Sequence, residues 1–189
     1  KNYNLSLEHF NKAIALSPDY TEVYTNSGKV FHNQEKYDLA IKDFNKSISF
    51  DSQYVDAYFN RGNTYAVQKK FGDAIEDYSK TIAIDSNYVL AYTHRGNIYA
   101  NQRKYDLALK DYSKVISIDP NKAENYAQRG VIYDKLKQHD LAIADYSKAI
   151  DIDSLLAEAY NSRGNSYYIQ KKYDLAITDY TKAININPD

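Results

Sequence analysis

Residues 55–88 read VDAYFNRGNTYAVQKKFGDAIEDYSKTIAIDSNY, and this stretch decides the fold because the rest of the chain repeats it. Its tripeptide Arg61-Gly-Asn recurs at Arg95 and at Arg163, and Arg129 begins the related Arg-Gly-Val. Neighbouring members of this series are 34 residues apart. A fixed period of this length is the sequence signature of tandem repeats that stack on one another.

Repeat positions can be counted from Thr21, which takes position 1. We predict one array over residues 1–189, in which residues 1–20 are the second helix of a partial repeat. The predicted full repeats are 21–54, 55–88, 89–122 and 123–156, and 157–189 forms a near-complete last repeat. Because the sequence contains no Met, we expect it to be a piece of a longer array.

Each repeat is predicted to be a helical hairpin. Tyr58, Gly62 and Tyr65 follow the period of one helix face, and Ala74 and Tyr78 repeat that spacing after a short polar turn. Glycine at position 8 costs about 1 kcal/mol inside a helix, so its recurrence predicts a close approach of two helices. Aspartates at position 18 are the predicted N-caps of the second helices: Asp38, Asp106, Asp140 and Asp174.

Composition excludes several classes of function. The 24 basic and 25 acidic residues give a net charge of -1, without the basic excess that nucleic-acid binding needs. Cysteine is absent, and no two of the four histidines share a spacing of three or four residues, so we expect no metal site. The sequence has no phosphate-binding loop and no hydrolase or protease motif, so we expect neither a cofactor nor enzyme activity.

Position 7 carries a recurrent arginine and position 23 a recurrent aspartate. In an antiparallel hairpin these positions lie at about the same height, so we predict an ion pair inside each hairpin, for example between Arg61 and Asp77. The first full repeat has Ser27 in place of the arginine, which leaves Asp43 without this partner. We prefer this structural role to an arginine ladder for an acidic ligand.

The pattern of Tyr58, Gly62, Tyr65, Ala74 and Tyr78, with proline recurring at position 32, resembles the tetratricopeptide repeat. The resemblance covers the whole chain. It implies an all-α fold, an α-α superhelix or solenoid of stacked antiparallel hairpins. It also implies that the first helices line a concave groove that binds peptides or protein surfaces.

In the family that groove is formed by positions 2, 5, 6, 9, 12 and 13, and amides recur there in this chain. The asparagines resemble, in part, the asparagine ladder of O-linked N-acetylglucosamine transferase, with departures at His94, Gln128 and Ser162. The alternative is that they only bridge neighbouring helices. The polar candidates for peptide binding are Asn26, Asn60, Asn63, His94, Asn97, Gln128 and Asn165, and the apolar candidates are Phe59 and Tyr168.

The predicted function is a non-catalytic protein-interaction scaffold that binds an extended, neutral-to-basic segment. Acidic residues at position 2, such as Glu22 and Asp56, would repel a carboxylate, so the C-terminal tails of Hsp70 and Hsp90 are not expected partners. One alternative is a homo-oligomer formed through the array ends, with the Ala176, Ile177 and Tyr180 face meeting a stretch around Leu5, Leu7 and Phe10. Another is the substrate-selecting lobe of a larger enzyme such as a glycosyltransferase.

Overall fold

The computed structural model describes Phe10, Lys12 and residues 19–188, so most of the segment 1–20, predicted to be the second helix of a partial repeat, lies outside the described part. Within residues 19–188 the chain forms ten α-helices and no β-strand, which confirms the predicted all-α class. The helices are α1 (Thr21–Asn33), α2 (Tyr37–Phe50), α3 (Val55–Val67), α4 (Phe71–Ile84), α5 (Val89–Asn101), α6 (Tyr105–Ile118), α7 (Ala123–Lys135), α8 (His139–Ile152), α9 (Ala157–Ile169) and α10 (Tyr173–Ile186).

The chain divides into two compact units, an N-terminal unit of residues 1–91 and a C-terminal unit of residues 92–189. In the N-terminal unit α1 packs on α2 and α3 on α4, and α3 also packs on α2. In the C-terminal unit α7 pairs with α8 and α9 with α10, while α7 also contacts α6 and α9 contacts α8. Each unit is therefore built from helical hairpins whose first helix also contacts the preceding hairpin.

A three-residue turn closes each hairpin. Between α3 and α4, Lys69 adopts the left-handed conformation with a φ of 59°. Its amide donates to the Ala66 carbonyl, and the Lys70 amide donates to the Tyr65 carbonyl, both at 2.9 Å. This pair of hydrogen bonds is the Schellman arrangement that ends a helix, formed here without the usual glycine.

The recurrent glycine confirms the predicted close approach of the two helices in a hairpin. A Cβ atom built on Gly130 would lie 2.7 Å from Cε1 of Tyr146, a side chain that is only 1% exposed. Gly28 is held in the same way against the ring of Phe44. The aromatic ring at position 24 therefore occupies the space that any side chain at position 8 would need.

The prediction that the position-18 aspartates are N-caps was wrong. Helix α2 has Lys36 as its N-cap and begins at Tyr37, so Asp38 already lies inside the first turn. No side chain accepts a capping hydrogen bond at this helix start. The Asp38 carboxylate instead lies in the first turn, near the positive end of the helix dipole, which stabilises its negative charge.

The predicted arginine–aspartate pairs are confirmed. Arg129 donates to both carboxylate oxygens of Asp145, each at 2.8 Å, and also to the Ser113 hydroxyl of the preceding hairpin at 3.1 Å. Arg163 makes the same three bonds with Asp179 and Ser147. These arginines therefore join neighbouring hairpins and are not available as a ladder for an acidic ligand.

Candidate functional site

A cavity recurs between consecutive first helices, and we call it the amide cavity. In the N-terminal unit it has a volume of about 250 Å³ and lies between α1 and α3. The residues that line it are Lys29, His32, Asn33, Phe44, Asn60 and Asn63. Burial lowers the pKa of His32, whose Nδ1 lies 2.9 Å from the Thr64 hydroxyl, so Lys29 supplies the positive charge at neutral pH.

The C-terminal unit contains the equivalent amide cavity between α5 and α7, with a volume of about 330 Å³. The residues that line it are Asn97, Ala100, Asn101, Tyr112, Gln128, Val131 and Ile132. All but Ile132 occupy the repeat positions of the lining residues in the N-terminal unit, which are 6, 12, 13 and 24 once each and 9 twice. The cavity is therefore a property of the repeat, while its side chains differ from one unit to the other.

The asparagine at position 9 is oriented by the second helix of its own hairpin. Oδ1 of Asn97 accepts a hydrogen bond of 2.6 Å from the Tyr112 hydroxyl. The same bond joins Tyr78 to Asn63 at 2.8 Å and Tyr180 to Asn165 at 2.7 Å. Because the amide oxygens of Asn97 and Asn165 accept from tyrosine, the NH2 groups of these two residues remain to donate to a ligand.

Two hairpins lack this asparagine: the first has Lys29 at position 9 and Phe44, without a hydroxyl, at position 24, whereas the fourth full repeat replaces the bond with another. Position 9 is Val131 there, and the Tyr146 hydroxyl donates to Asp134 at 3.0 Å. Asp134 also accepts from the Ser166 hydroxyl at 2.8 Å and lies 2.9 Å from Nδ1 of His139. The buried tyrosine hydroxyl thus keeps an acceptor in this hairpin as well.

The other predicted amide and histidine side chains lie along the same helices. Asn60 lines the N-terminal amide cavity, and its Nδ2 donates to the Asp56 carbonyl at 2.6 Å. Asn26 and His94 are half-buried, and burial lowers the pKa of His94. Asn165 is exposed on α9. The structure therefore brings Asn60 together with Asn63, and Asn97 with Gln128, but places Asn26 outside the cavity in its unit.

The two apolar candidates differ in exposure. Phe59 is only 8% exposed and packs on Tyr78 and Tyr88, with ring centroids 5.9 and 4.9 Å apart. Tyr168 is 60% exposed, and its ring lies edge-on to Tyr173 at 5.6 Å. Phe59 thus lies beneath the surface, whereas the aromatic side chain of Tyr168 is exposed on α9.

A second cavity in the C-terminal unit combines apolar walls with two carboxylates, and we call it the acidic cavity. Its volume is about 190 Å³, and it adjoins the amide cavity through the shared residues Gln128 and Val131. In the sequence, the acidic residues at position 2 indicate only that a carboxylate ligand would be repelled, and nothing there places two of them at one cavity. The residues that line this cavity are Glu124, Ala127, Gln128, Val131, Leu156, Glu158 and Ser162.

The described residues contain neither a membrane-spanning helix nor a cluster of metal ligands. Among them, no helix is both long and apolar enough to cross a membrane. Within the same residues, no three His, Asp or Glu side chains are grouped so that they could hold a metal ion.

Comparison with known proteins agrees with this architecture. The tetratricopeptide repeat family model matches residues 55–88, 89–122, 123–154 and 157–189, and a second TPR repeat model matches residues 28–69. No curated protein sequence matches the chain significantly.

Several solved structures have the same fold. A crystal structure of MamA protein superposes with a TM-score of 0.82 and 27% identity, over 89% of this chain and 92% of that one. YrrB, described as a TPR protein with an unusual peptide-binding site, superposes with a TM-score of 0.82 and 22% sequence identity. The match covers 95% of this chain and 93% of that one. The C-terminal part of a TPR repeat-containing protein from Cytophaga hutchinsonii superposes with a TM-score of 0.86 and 22% sequence identity. The match covers 98% of this chain and 74% of that one.

The helical hairpins and their recurrent glycine–aromatic packing define an all-α repeat protein. Because the family model covers more than half of the residues, the chain belongs to the tetratricopeptide repeat family. Family and fold together support the general role of a protein-interaction scaffold with protein or peptide partners.

Proposed function

We propose that this chain is a non-catalytic scaffold and that the first helices of each unit bind an extended segment of a partner protein. The observation that carries the proposal is the recurrent amide cavity, whose asparagine oxygen accepts from a tyrosine hydroxyl. In the C-terminal unit the NH2 group of Asn97 can then donate to a peptide carbonyl. Such a bond recognises the backbone, so it places little restriction on the sequence of the partner.

Apolar surface beside the amides supplies further affinity. In the C-terminal unit Val131 is 40% exposed, and Ala100 and Ile132 line the same amide cavity. A neutral hydrogen bond contributes only about 0.5–1.5 kcal/mol net, so the burial of aliphatic side chains must supply most of the free energy. We expect affinities in the micromolar range, about -8 kcal/mol.

A screen of the purified chain against a random library of acetylated and amidated peptides tests this proposal. We expect neutral and basic extended peptides to bind, and Asn97→Ala combined with Gln128→Ala to weaken binding about tenfold. Asn185→Ala removes an exposed amide from the second helix α10 and serves as the matched control. Equal weakening by the control variant, or a preference for peptides rich in acidic residues, would contradict the proposal.

A second candidate function is self-association through the exposed face of α10. Ile177 and Ile184 are each 62% exposed, although their equivalents Ile143 and Ile150 on α8 are half-buried beside α9. Ile177→Lys combined with Ile184→Glu should then abolish any oligomer seen by light scattering. If an oligomer persists in this variant, the α10 face is not its cause.

A further inference from the structure

The acidic cavity of the C-terminal unit has the composition of a subsite for one side chain. Ala127, Val131 and Leu156 form apolar walls, and the carboxylates of Glu124 and Glu158 lie at the same cavity. Gln128 and Ser162 add polar atoms that can accept a hydrogen bond. An apolar wall next to negative charge suits a side chain with a long methylene stem and a cationic end.

The two carboxylates are available to a ligand. Neither Glu124 nor Glu158 takes part in a hydrogen bond or ion pair with the residues that the structure describes. Each glutamate lies in the first turn of its helix, where the helix dipole favours negative charge. The dipole explains an acid at each helix start, but it does not explain an apolar cavity that both carboxylates share.

The N-terminal unit shows what fills the corresponding place when the chain provides its own cation. There Nζ of Lys29, at repeat position 9, lies 3.7 Å from Oδ2 of Asp56, at position 2 of the next repeat. The equivalent residues in the C-terminal unit are Val131 and Glu158. The carboxylate is thus retained, whereas the lysine is replaced by valine, which carries no charge to pair with it.

We propose that the acidic cavity binds a lysine side chain of the partner segment, in the place that Lys29 takes beside Asp56. The lysine stem packs on Ala127 and Val131, and its ammonium group donates to the two glutamates. This proposal rests on the proposed function, because Gln128 and Val131 belong to both cavities and one extended segment would contact both.

Pools of acetylated and amidated hexapeptides test the proposal. One central position is fixed as lysine, acetyl-lysine, norleucine or arginine, and the other positions are random mixtures. Acetyl-lysine and norleucine keep an aliphatic stem but remove the charge. We expect the lysine pool to bind about fivefold more tightly than either neutral pool in fluorescence competition, and the difference to shrink at high salt.

Variants of the chain distinguish a lysine subsite from general attraction between opposite charges. Val131→Lys supplies an internal ammonium group, so it should abolish the preference for lysine over norleucine, whatever the affinity that remains for either pool. Glu158→Gln should reduce the preference to less than about twofold. Glu76→Gln removes the same charge from an exposed position on α4 and should leave the preference unchanged.

The outcomes separate this inference from the proposed function. Equal binding of the lysine and norleucine pools would overturn the lysine subsite and leave backbone binding intact. Tighter binding of the arginine pool would overturn the assignment to lysine. If no pool binds at all, the proposed function itself fails.

Discussion

The Tyr112 hydroxyl donates a hydrogen bond of 2.6 Å to Oδ1 of Asn97, and this bond joins the second helix α6 to the first helix α5. It connects the packing of the hairpin to the surface that we propose binds a partner. Tyr112 is only 3% exposed, so the position of its hydroxyl is fixed by the core. The amide of Asn97 is therefore oriented before any ligand arrives, which reduces the entropy cost of binding.

Loss of the Tyr112 hydroxyl should lower the stability of the chain measurably. Tyr112→Phe leaves Oδ1 of Asn97 without its donor, so we expect the free energy of unfolding to fall by about 1 kcal/mol in urea denaturation. Tyr173→Phe is the control, because its hydroxyl makes no hydrogen bond with the described residues.

A double-mutant cycle with Asn97→Val isolates the bond between the two side chains. We expect a coupling energy of about 0.5–1.5 kcal/mol between Tyr112 and Asn97. Additive effects of the two substitutions would contradict the account that this bond orients the amide.

Alkaline pH should unfold the chain as the buried tyrosines ionise. Burial raises the pKa of Tyr112 from 10.0 to about 12, and the nearby charge of Asp111 adds to the shift. The unfolded chain therefore releases this proton at lower pH than the folded chain does. Stability should be complete below pH 10.0 and fall between pH 10.0 and about 12.

Thermal unfolding followed by circular dichroism across this pH range measures the effect. Burial also raises the pKa of Tyr78 and of Tyr146. The fall in stability with rising pH should therefore be steeper than the ionisation of one tyrosine can produce. Tyr112→Phe should make the loss less steep. An unchanged slope in that variant would show that Tyr112 does not ionise on unfolding.

Two glycine substitutions should change stability in opposite directions. In Gly130→Ala the new Cβ would lie 2.7 Å from a Tyr146 ring that is buried and hydrogen-bonded, so we expect a loss of about 1–3 kcal/mol. At Gly72 a Cβ atom would have no neighbouring atom within 4 Å, and Gly72→Ala should stabilise α4 by up to about 1 kcal/mol. Urea midpoints of both variants give the comparison, and a stabilising Gly130→Ala would refute the close-packing account.

Removal of one arginine should lower the free energy of unfolding by more than removal of the whole ion pair does. Arg129→Met leaves the Asp145 side chain, which is 9% exposed, without its two hydrogen bonds, and we expect a loss of about 3 kcal/mol in chemical denaturation. The double variant Arg129→Met with Asp145→Leu should regain most of this loss, because no buried charge then remains. Equal losses in the single and double variants would argue against the buried carboxylate as the cause.

Periodicity was enough to predict the helical hairpins, the contact at the recurrent glycine and the Arg129–Asp145 pair. These features repeat in the sequence because each depends on two residues of one hairpin. The N-caps were predicted wrongly because aspartate is favoured both as an N-cap and inside the first turn, where the helix dipole stabilises its charge. The residue type alone therefore does not distinguish Asp38, at the second helical position, from an N-cap.

Side-chain partners between unlike positions were harder to predict. The loss of asparagine at Val131 coincides in the sequence with the appearance of Asp134, and only the structure shows that Tyr146 joins the two changes. The acidic cavity was missed because Glu124 and Glu158 are 34 residues apart and nothing local connects them. Their shared cavity depends on how neighbouring hairpins pack.

The central claim is that the first helices, with amides oriented by buried tyrosines, form the binding surface. The most direct measurement is an NMR titration of the isotope-labelled chain with a bound peptide from the library, following the side-chain NH2 signals of asparagine and glutamine. The account predicts that the signals of Asn97 and Gln128 shift while that of Asn185 on α10 does not. Shifts confined to second-helix residues, with Asn97 and Gln128 unchanged, would contradict it.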